Sequence, residues 1–269
     1  MDSLCLITGA TGGFGRAFSV ALARKHFNLF LTDQDAGKLQ LLADALKRTY
    51  GVEVKYQPCN LLEQPFRDQL FSVIRKKGYL FRGLVNIAGG DAEGFFLDSD
   101  PLNVRDVIRL NIEAAVDLTH FTLTRRNPNL AFRIINIASL AAFFPIPHKA
   151  AYSSSKRFLV NFSLALREEL RDQNVTVTAL CPSGMPTTPL RIRTINSQGF
   201  FGQLSVQQIG RVASRTLELA VMNRAVYIPG FFNRLLVALG ALIPRPLLTR
   251  LLIRRWRQTS KKAQSMESA

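Results

Sequence analysis

Tyr152 and Lys156 stand four residues apart in Ala151-Tyr152-Ser153-Ser154-Ser155-Lys156, and Ser139 closes the apolar stretch Ile134-Ile135-Asn136-Ile137-Ala138 thirteen residues before the tyrosine. In a helix, this spacing puts the phenol and the ammonium on one face. A phenol titrates near pH ~10. An ammonium beside it favours the phenolate and brings the group closer to working pH. A serine hydroxyl at a strand end can hold a carbonyl or alcohol oxygen next to that phenol. Together the three side chains could move a proton while another reagent moves a hydride. Tyr-x-x-x-Lys also arises by chance in helices, so its weight depends on what stands upstream.

Upstream the residues describe a nucleotide site. Leu4-Cys5-Leu6-Ile7 reads as a short buried strand, Thr8-Gly9-Ala10-Thr11-Gly12-Gly13-Phe14-Gly15 follows it, and Arg16 to Ala23 has helical periodicity. Glycines let the backbone approach a pyrophosphate, and the helix N-terminus offers free N–H groups and its dipole. A turn rich in glycine for steric reasons alone is the competing reading. A second strand, Asn28 to Thr32, leads to Asp33, eighteen residues after Gly15. A carboxylate there can accept from an adenosine ribose and repels a 2′-phosphate. Gln34 follows where a basic residue could grip that phosphate. NAD(H) is therefore expected as cofactor, with NADP(H) the alternative. Asp33 as a solvated turn acid is the bland reading, kept open by Asp35.

Further strands are expected at 52–56, 83–86, 132–138, 175–181 and 225–228, and helices at 36–49, 63–77, 103–127, 150–173 and 205–223. Apolar strands alternating with amphipathic stretches are the pattern of a parallel sheet covered on both faces. The 269 residues suit one α/β domain at 1–230 with a C-terminal appendage at 231–269.

With these motifs in order, the chain resembles the short-chain dehydrogenase/reductase family from Leu4 to about Gly230. Thr8, Gly9, Gly13 and Gly15 match its Thr-Gly-x-x-x-Gly-x-Gly; Asn86-Ile87-Ala88-Gly89 matches its Asn-x-Ala-Gly. Asn111 matches the helix asparagine, Ser139 the serine, and Tyr152 and Lys156 the Tyr-x-x-x-Lys. The resemblance implies a three-layer, doubly wound Rossmann fold with a seven-stranded parallel sheet. It also implies an NAD(P)-dependent alcohol–ketone oxidoreductase that forms a homodimer or homotetramer. Tyr152 would be the general acid and base, and Lys156 would lower its pKa and hold the nicotinamide ribose. Ser139 would polarise the substrate oxygen, and Asn111 would shape its helix locally and hold a water linking Lys156 to solvent. Cofactor contacts are implied at Gly9, Thr11, Gly13, Phe14, Gly15, Asp33, Asn60, Leu61, Asn86, Ala88, Gly89, Tyr152, Lys156, Pro182 and Thr187.

Three places depart from the family pattern. Cys181-Pro182-Ser183-Gly184-Met185-Pro186-Thr187-Thr188 stands where Pro-Gly and a carboxamide-binding threonine are usual. Thr187 is the ungapped match and Thr188 the shifted one. Asn60 replaces a common aspartate, and Gly89-Gly90-Asp91 adds a step after the usual Ala-Gly. None removes a catalytic group.

The expected pocket walls, Leu140 to His148, Phe95-Phe96-Leu97 and the loop from Met185 to Leu204, supply Phe143, Phe144, Pro145, Pro147, Phe200 and Phe201 but few charges. An apolar alcohol or ketone fits them better than a sugar acid, although such aromatics also pack against one another or a neighbouring subunit.

The formal net charge is +16, and residues 224–269 contribute nine Arg and Lys against Glu267 alone. Leu235 to Ile243 is an apolar run too short to span a bilayer, which takes ~20 residues. Leu247, Leu248, Leu251, Leu252 and Trp256 then share a helical face beside Arg250, Arg254, Arg255 and Arg257. A basic amphipathic helix of this kind lies on anionic membrane or docks on protein. Peripheral membrane contact through 231–262 is the expectation, with docking the alternative. No nucleic-acid recognition motif accompanies these charges. Cys5, Cys59 and Cys181 are odd in number and widely spaced, as buried thiols of a reducing compartment are. His26, His120 and His148 do not pair at ligand spacing, so no metal is expected. The first strand begins at once, so no signal peptide is expected, and the location is cytoplasmic or peripheral at the inner face of the membrane. A nucleotide-sensing or membrane-tethering protein that keeps the fold without turnover is the alternative function.

Overall fold

The structure is a computed structural model, and it describes residues 3–183 and 208–254. Seven parallel strands form one sheet in the order β3-β2-β1-β4-β5-β6-β7. They are β1 (Leu4–Thr8), β2 (Leu29–Asp33), β3 (Val54–Pro58), β4 (Phe81–Asn86), β5 (Phe132–Ile137), β6 (Val175–Leu180) and β7 (Val226–Tyr227). The order reverses between β2-β1 and β4, the switch point where doubly wound sheets hold ligands at their strand C-termini.

Helices cover both faces. On one side α1 (Gly13–Ala23), α2 (Ala36–Tyr50) and α7 (Ile209–Val221) bury Phe18, Leu22, Leu39, Leu46, Val212 and Leu217 against Ile7, Leu31, Val85 and Ile135. On the other, α3 (Gln64–Lys76) and α5 (Ala114–Thr124) bury Leu70, Phe71, Ile74, Leu118 and Phe121 against Leu6, Phe30, Leu84 and Ile134. There α6 (Ala150–Glu169) adds Leu159 and Val160. Local chemistry sets the ends. The Asp35 side chain accepts from Lys38 N to cap α2, which stops at Gly51 with φ +66°. Asp100 caps α4 (Pro101–Ile108) in the same way, just before a proline at its start.

Several boundaries differ from the sequence expectation. The expected strand at 52–56 runs instead over Val54–Pro58, because pairing with β2 sets its register from Leu29↔Val54 to Asp33↔Pro58. The expected helix at 103–127 is interrupted by a π-helical turn, Arg109–Glu113, between α4 and α5. Ala114 N there reaches back to Arg109 O, one residue further than an α-helical bond. The expected helix at 150–173 ends at Glu169 and passes into a 3₁₀ turn, Arg171–Gln173. The seventh strand keeps only Val226 and Tyr227, the two residues in register with Ala179 and Leu180. The appendage begins with α8 (Phe231–Leu242), followed by a helix at 245–254, here α9. Thr187, Thr188, Phe200, Phe201, Arg255, Trp256 and Arg257 lie outside the described residues.

Candidate active site

The cleft opens at the C-terminal ends of β1, β4 and β5, with a volume of about 620 Å³. Its floor is the glycine turn. Gly9 has φ +60°, and a Cβ there would stand 3.0 Å from Ala88 N. Gly15 does not face the cleft; a Cβ there would overlap the Gly9 carbonyl oxygen and lie 2.5 Å from the Ala10 carbonyl carbon, so glycine is what lets α1 sit on β1. Gly12 caps α1 with no side-chain hydrogen bond, which leaves the first-turn N–H groups to a ligand. Thr8 Oγ1 accepts from Ile87 N at 2.9 Å and Ala88 N at 3.0 Å, tying the end of β1 to the segment after β4.

Asp33 closes one end of the cleft. One carboxylate oxygen accepts from Thr11 N at 2.9 Å and Thr11 Oγ1 at 2.7 Å, the other from Gln34 N at 2.8 Å. These bonds orient the acid toward the glycine turn, so it is more than a solvated turn residue. Asn60 and Leu61 line the neighbouring wall, where Asn60 Oδ1 accepts from Leu62 N at 3.2 Å.

The expected catalytic side chains stand at the other end. Ser139, Tyr152, Lys156 and Pro182 line the same cleft as Gly9, Thr11, Gly13, Phe14, Ala88 and Gly89. Ser139 follows β5 and starts a 3₁₀ turn, Leu140–Phe143, with Oγ accepting from Ala141 N at 3.1 Å. Its hydroxyl hydrogen is thereby left to donate into the cleft. Lys156 is buried, and its Nζ donates to Ile137 O at 3.0 Å and sits 5.8 Å from the centre of the Tyr152 ring. Burial pushes the neighbouring Cys181 thiol up to about 12, so it stays protonated and does not compete with Tyr152 as an acid–base group.

Asn111 lies behind this wall rather than on it. Its amide is buried in the π-turn, donates to Gly90 O at 3.0 Å and Ser155 Oγ at 2.9 Å, and accepts from Gly90 N at 2.9 Å. A Cβ on Gly89 would stand 2.7 Å from Asn111 Oδ1 and 3.1 Å from Lys156 Nζ. Gly89 therefore keeps the cleft open between asparagine and lysine. Asn86, expected to touch cofactor, does not line the cleft. Its amide is buried and donates to Asn136 Oδ1 at 2.9 Å and Thr119 Oγ1 at 3.1 Å, and Asn136 donates in turn to Ser163 at 2.9 Å. The chain of amides joins β4, β5 and α6 and is a structural brace.

Two site-forming residues, Arg67 and Lys149, escaped the sequence reading. Arg67 is buried and donates to Leu61 O at 2.8 Å and Asp117 at 2.9 Å, propping the Asn60–Leu62 wall. Its spacing to Leu70, Phe71 and Ile74 was the available signal, since it puts the arginine on the buried face of α3. Lys149 holds Asp91 and Glu93 at 2.7 Å each, and His148, at φ +67°, packs its ring 3.9 Å from that of Phe95. Together they pin the segment after Gly89 beside the start of α6.

A family model, short chain dehydrogenase, matches residues 3–198. The chain belongs to the short-chain dehydrogenase family. Among curated members it is 32% identical over 178 residues to a very-long-chain 3-oxoacyl-CoA reductase of Laccaria bicolor, covering 65% of this chain and 52% of that protein. It is 31% identical over 202 residues to 17-beta-hydroxysteroid dehydrogenase type 3 of Homo sapiens, covering 73% and 63%. The chain thus spans between half and two thirds of these relatives. A solved 7beta-hydroxysteroid dehydrogenase superposes with a TM-score of 0.82 at 20% identity, covering 93% of this chain and 96% of the other, a likeness of fold. Short-chain dehydrogenases bind NAD(P)(H), and the uncapped α1 terminus, the space at Gly89 and the oriented Asp33 fit such a dinucleotide.

Proposed function

We propose that the chain is an NAD(P)-dependent oxidoreductase that interconverts an alcohol and a ketone on a large apolar substrate. The observation that carries this is that one cleft has the glycine turn and Asp33 at one end and Ser139, Tyr152 and Lys156 at the other. The nicotinamide supplies or accepts the hydride. Tyr152 gives its phenolic proton to the substrate oxygen in reduction and takes it back in oxidation, while the Ser139 hydroxyl donates to the same oxygen. Lys156, positioned by its bond to Ile137 O, holds the ribose hydroxyls and stabilises the phenolate. Asp33 accepts from the adenosine ribose and favours NAD(H) over NADP(H).

The relatives named for very-long-chain 3-oxoacyl-CoA and hydroxysteroid substrates support a lipophilic ketone, as does the apolar turn Leu140–Phe143 beside Ser139. The appendage supports a membrane-facing mouth. Its inner side docks on that wall: a Cβ on Gly240 would stand 2.6 Å from the Phe144 ring, and Asn233 donates to Ser183 Oγ at 3.2 Å. On its outer side Phe231, Leu235, Leu239 and Leu242 are exposed at helical spacing, continued by Leu247 and Leu251 among Arg234, Arg245, Arg250 and Arg254. Among the described residues no helix is long and apolar enough to cross a membrane, and a basic amphipathic surface of this kind supports peripheral contact. Exposed Phe158 and Leu164 on α6 and Ile108 on α4 give a second copy an apolar surface, supporting a homodimer or homotetramer.

The test is a screen of long-chain 3-keto thioesters and steroid ketones with NADH and NADPH, run on the parent and on Tyr152→Phe. Turnover by the parent that falls about 10²-fold or more in the variant is expected. Full activity of the variant, or no turnover of any lipophilic ketone by the parent, sinks the proposal.

A further inference from the structure

A second cavity, of about 260 Å³, lies on the α1 and α7 side of the sheet, lined by residues of β1, β4 and β5 and separate from the catalytic cleft. Its walls are almost wholly apolar, lined by Leu22, Phe27 and Leu217 together with the exposed Val221 and Met222. Two arginines interrupt them. Arg82 on β4 and Arg133 on β5 both line the cavity, and Gly83 stands in register with Arg133.

Arg133 stands where this fold calls for an apolar side chain. In Phe132-Arg133-Ile134-Ile135, the alternation puts it on the same face as Ile135, which is buried against α1 and α7. Among the described residues no carboxylate pairs with its guanidinium. The Nε atoms of Arg82 and Arg133 are buried without a hydrogen-bond partner among the described residues. Neither arginine forms an ion pair there; Arg82 only stacks on Phe27, 4.4 Å from the ring centre. Of the other charges on the cavity, Lys25 adds a third cation, and the Glu218 carboxylate is held by Arg215 at 2.6 Å. Burial and the adjacent Arg82 charge both pull the Arg133 pKa below its ordinary value, the mark of a cation short of a counter-charge. A buried charge is costly unless paired and hydrogen-bonded. An apolar chamber with two unanswered guanidinium groups at its wall has the chemistry to pair with an anion that carries its own apolar chain.

We propose that this cavity binds an amphiphilic anion, a single carboxylate or phosphate head on an unbranched apolar chain, with the head on Arg82 and Arg133 and the chain against Leu22, Val221 and Met222. The site is separate from the catalytic cleft and does not depend on the chain being an active oxidoreductase. A bound chain would touch α1 and α7 together, and so brace the helix that begins at the glycine turn.

The test is calorimetric titration of the full-length, NADH-saturated protein with decanoate and, separately, with decyl phosphate, which distinguishes the two heads. Decanol and acetate serve as single-feature controls. Binding by at least one amphiphile is expected, with decanol and acetate each weaker by about tenfold or more. Arg133→Leu and Arg82→Leu should each weaken it by a similar factor. Such replacements of a buried charge by an apolar side chain are often neutral or stabilising, and a melting curve of each variant confirms folding. The ligand should raise the melting temperature of the parent but not of Arg133→Leu. Absence of binding by both amphiphiles, equal affinity in the leucine variants, or decanol as tight as the anions would each overturn the proposal.

Discussion

Asn111 donates its side-chain amide to Ser155 Oγ at 2.9 Å, so the π-turn between α4 and α5 is bolted to the helix that carries Tyr152 and Lys156. The same amide clamps both polar groups of the Gly90 backbone. One buried side chain thus joins three segments that meet at the catalytic end of the cleft. Asn111→Leu leaves the Gly90 groups without that partner and is expected to lower kcat by about 10²-fold, by analogy with loss of a group that positions an acid–base residue. Ser155→Ala removes that link and the Ser155 Oγ bond to Tyr152 O but leaves the Gly90 clamp, and should cost about 1 kcal/mol in denaturant unfolding with a smaller effect on kcat. Equal kinetic effects of the two would show that the Gly90 clamp has no special part.

Glycines of one loop are not equivalent. An added Cβ at Gly15 overlaps the backbone of Gly9 and Ala10, whereas at Gly12 the nearest atom is Gly9 O at 3.4 Å. Gly15→Ala should therefore destabilise the fold by about 3 kcal/mol or more, since backbone is what must move. Gly12→Ala should change chemical-denaturation stability by under ~1 kcal/mol. Similar midpoints for the two would contradict the packing described for α1.

Asp33 decides the cofactor in the proposed reading. Its carboxylate already accepts from Thr11 and Gln34, and a 2′-phosphate would approach this fixed negative charge. Asp33→Asn keeps the size and removes the charge, and should shift the NADPH-to-NADH affinity ratio toward NADPH by about tenfold, or 1.4 kcal/mol. The measurement is fluorescence titration with each reduced cofactor. Tighter NADPH than NADH binding by the parent would refute the role given to Asp33.

Lys149 provides a pH-dependent brace. Its burial alone would lower the pKa, but the hydrogen bonds it donates to Asp91 and Glu93 outweigh that, and the net shift is upward from 10.5. The contribution is fully present below the unfolded value of 10.5 and is lost as pH rises through the higher folded value. Lys149→Met should lower the melting temperature at pH 7 by about 2–4 °C, the effect of ~1 kcal/mol in a domain of this size. The gap between the two proteins should close in strongly alkaline buffer. A gap that widens there would reverse the sign assigned to this bridge.

The exposed leucines of the appendage make the membrane reading testable without disturbing the core. Leu235→Ser, Leu239→Ser and Leu242→Ser together remove apolar surface from the outer face of α8, while Gly240 and Asn233 keep their contacts with the body. Flotation with vesicles containing phosphatidylserine should fall several-fold, and raised salt should weaken what remains by screening the arginines. Unchanged flotation of the triple variant, or none by the parent, removes the case for membrane contact.

Amino-acid order alone determined the strand–glycine turn–helix, the alternation behind the seven-stranded sheet, and the spacings that nominated Ser139, Tyr152 and Lys156. These are local periodicities or short motifs, readable because each depends on near neighbours in the chain. Tertiary structure decided what depends on contacts across the fold. Pairing with β2 moved β3 along by two residues, and two buried amides at different depths took different parts: Asn86 braces the sheet and Asn111 braces the site. Arg67 and Arg133 are both cations whose spacing puts them on the inner face of their helix or strand, and packing separates them. The first finds Asp117 and the Leu61 carbonyl, and the second faces a cavity where the Glu218 carboxylate is already held by Arg215. A charge is visible in sequence, but its partner is brought to it by the fold, or is not.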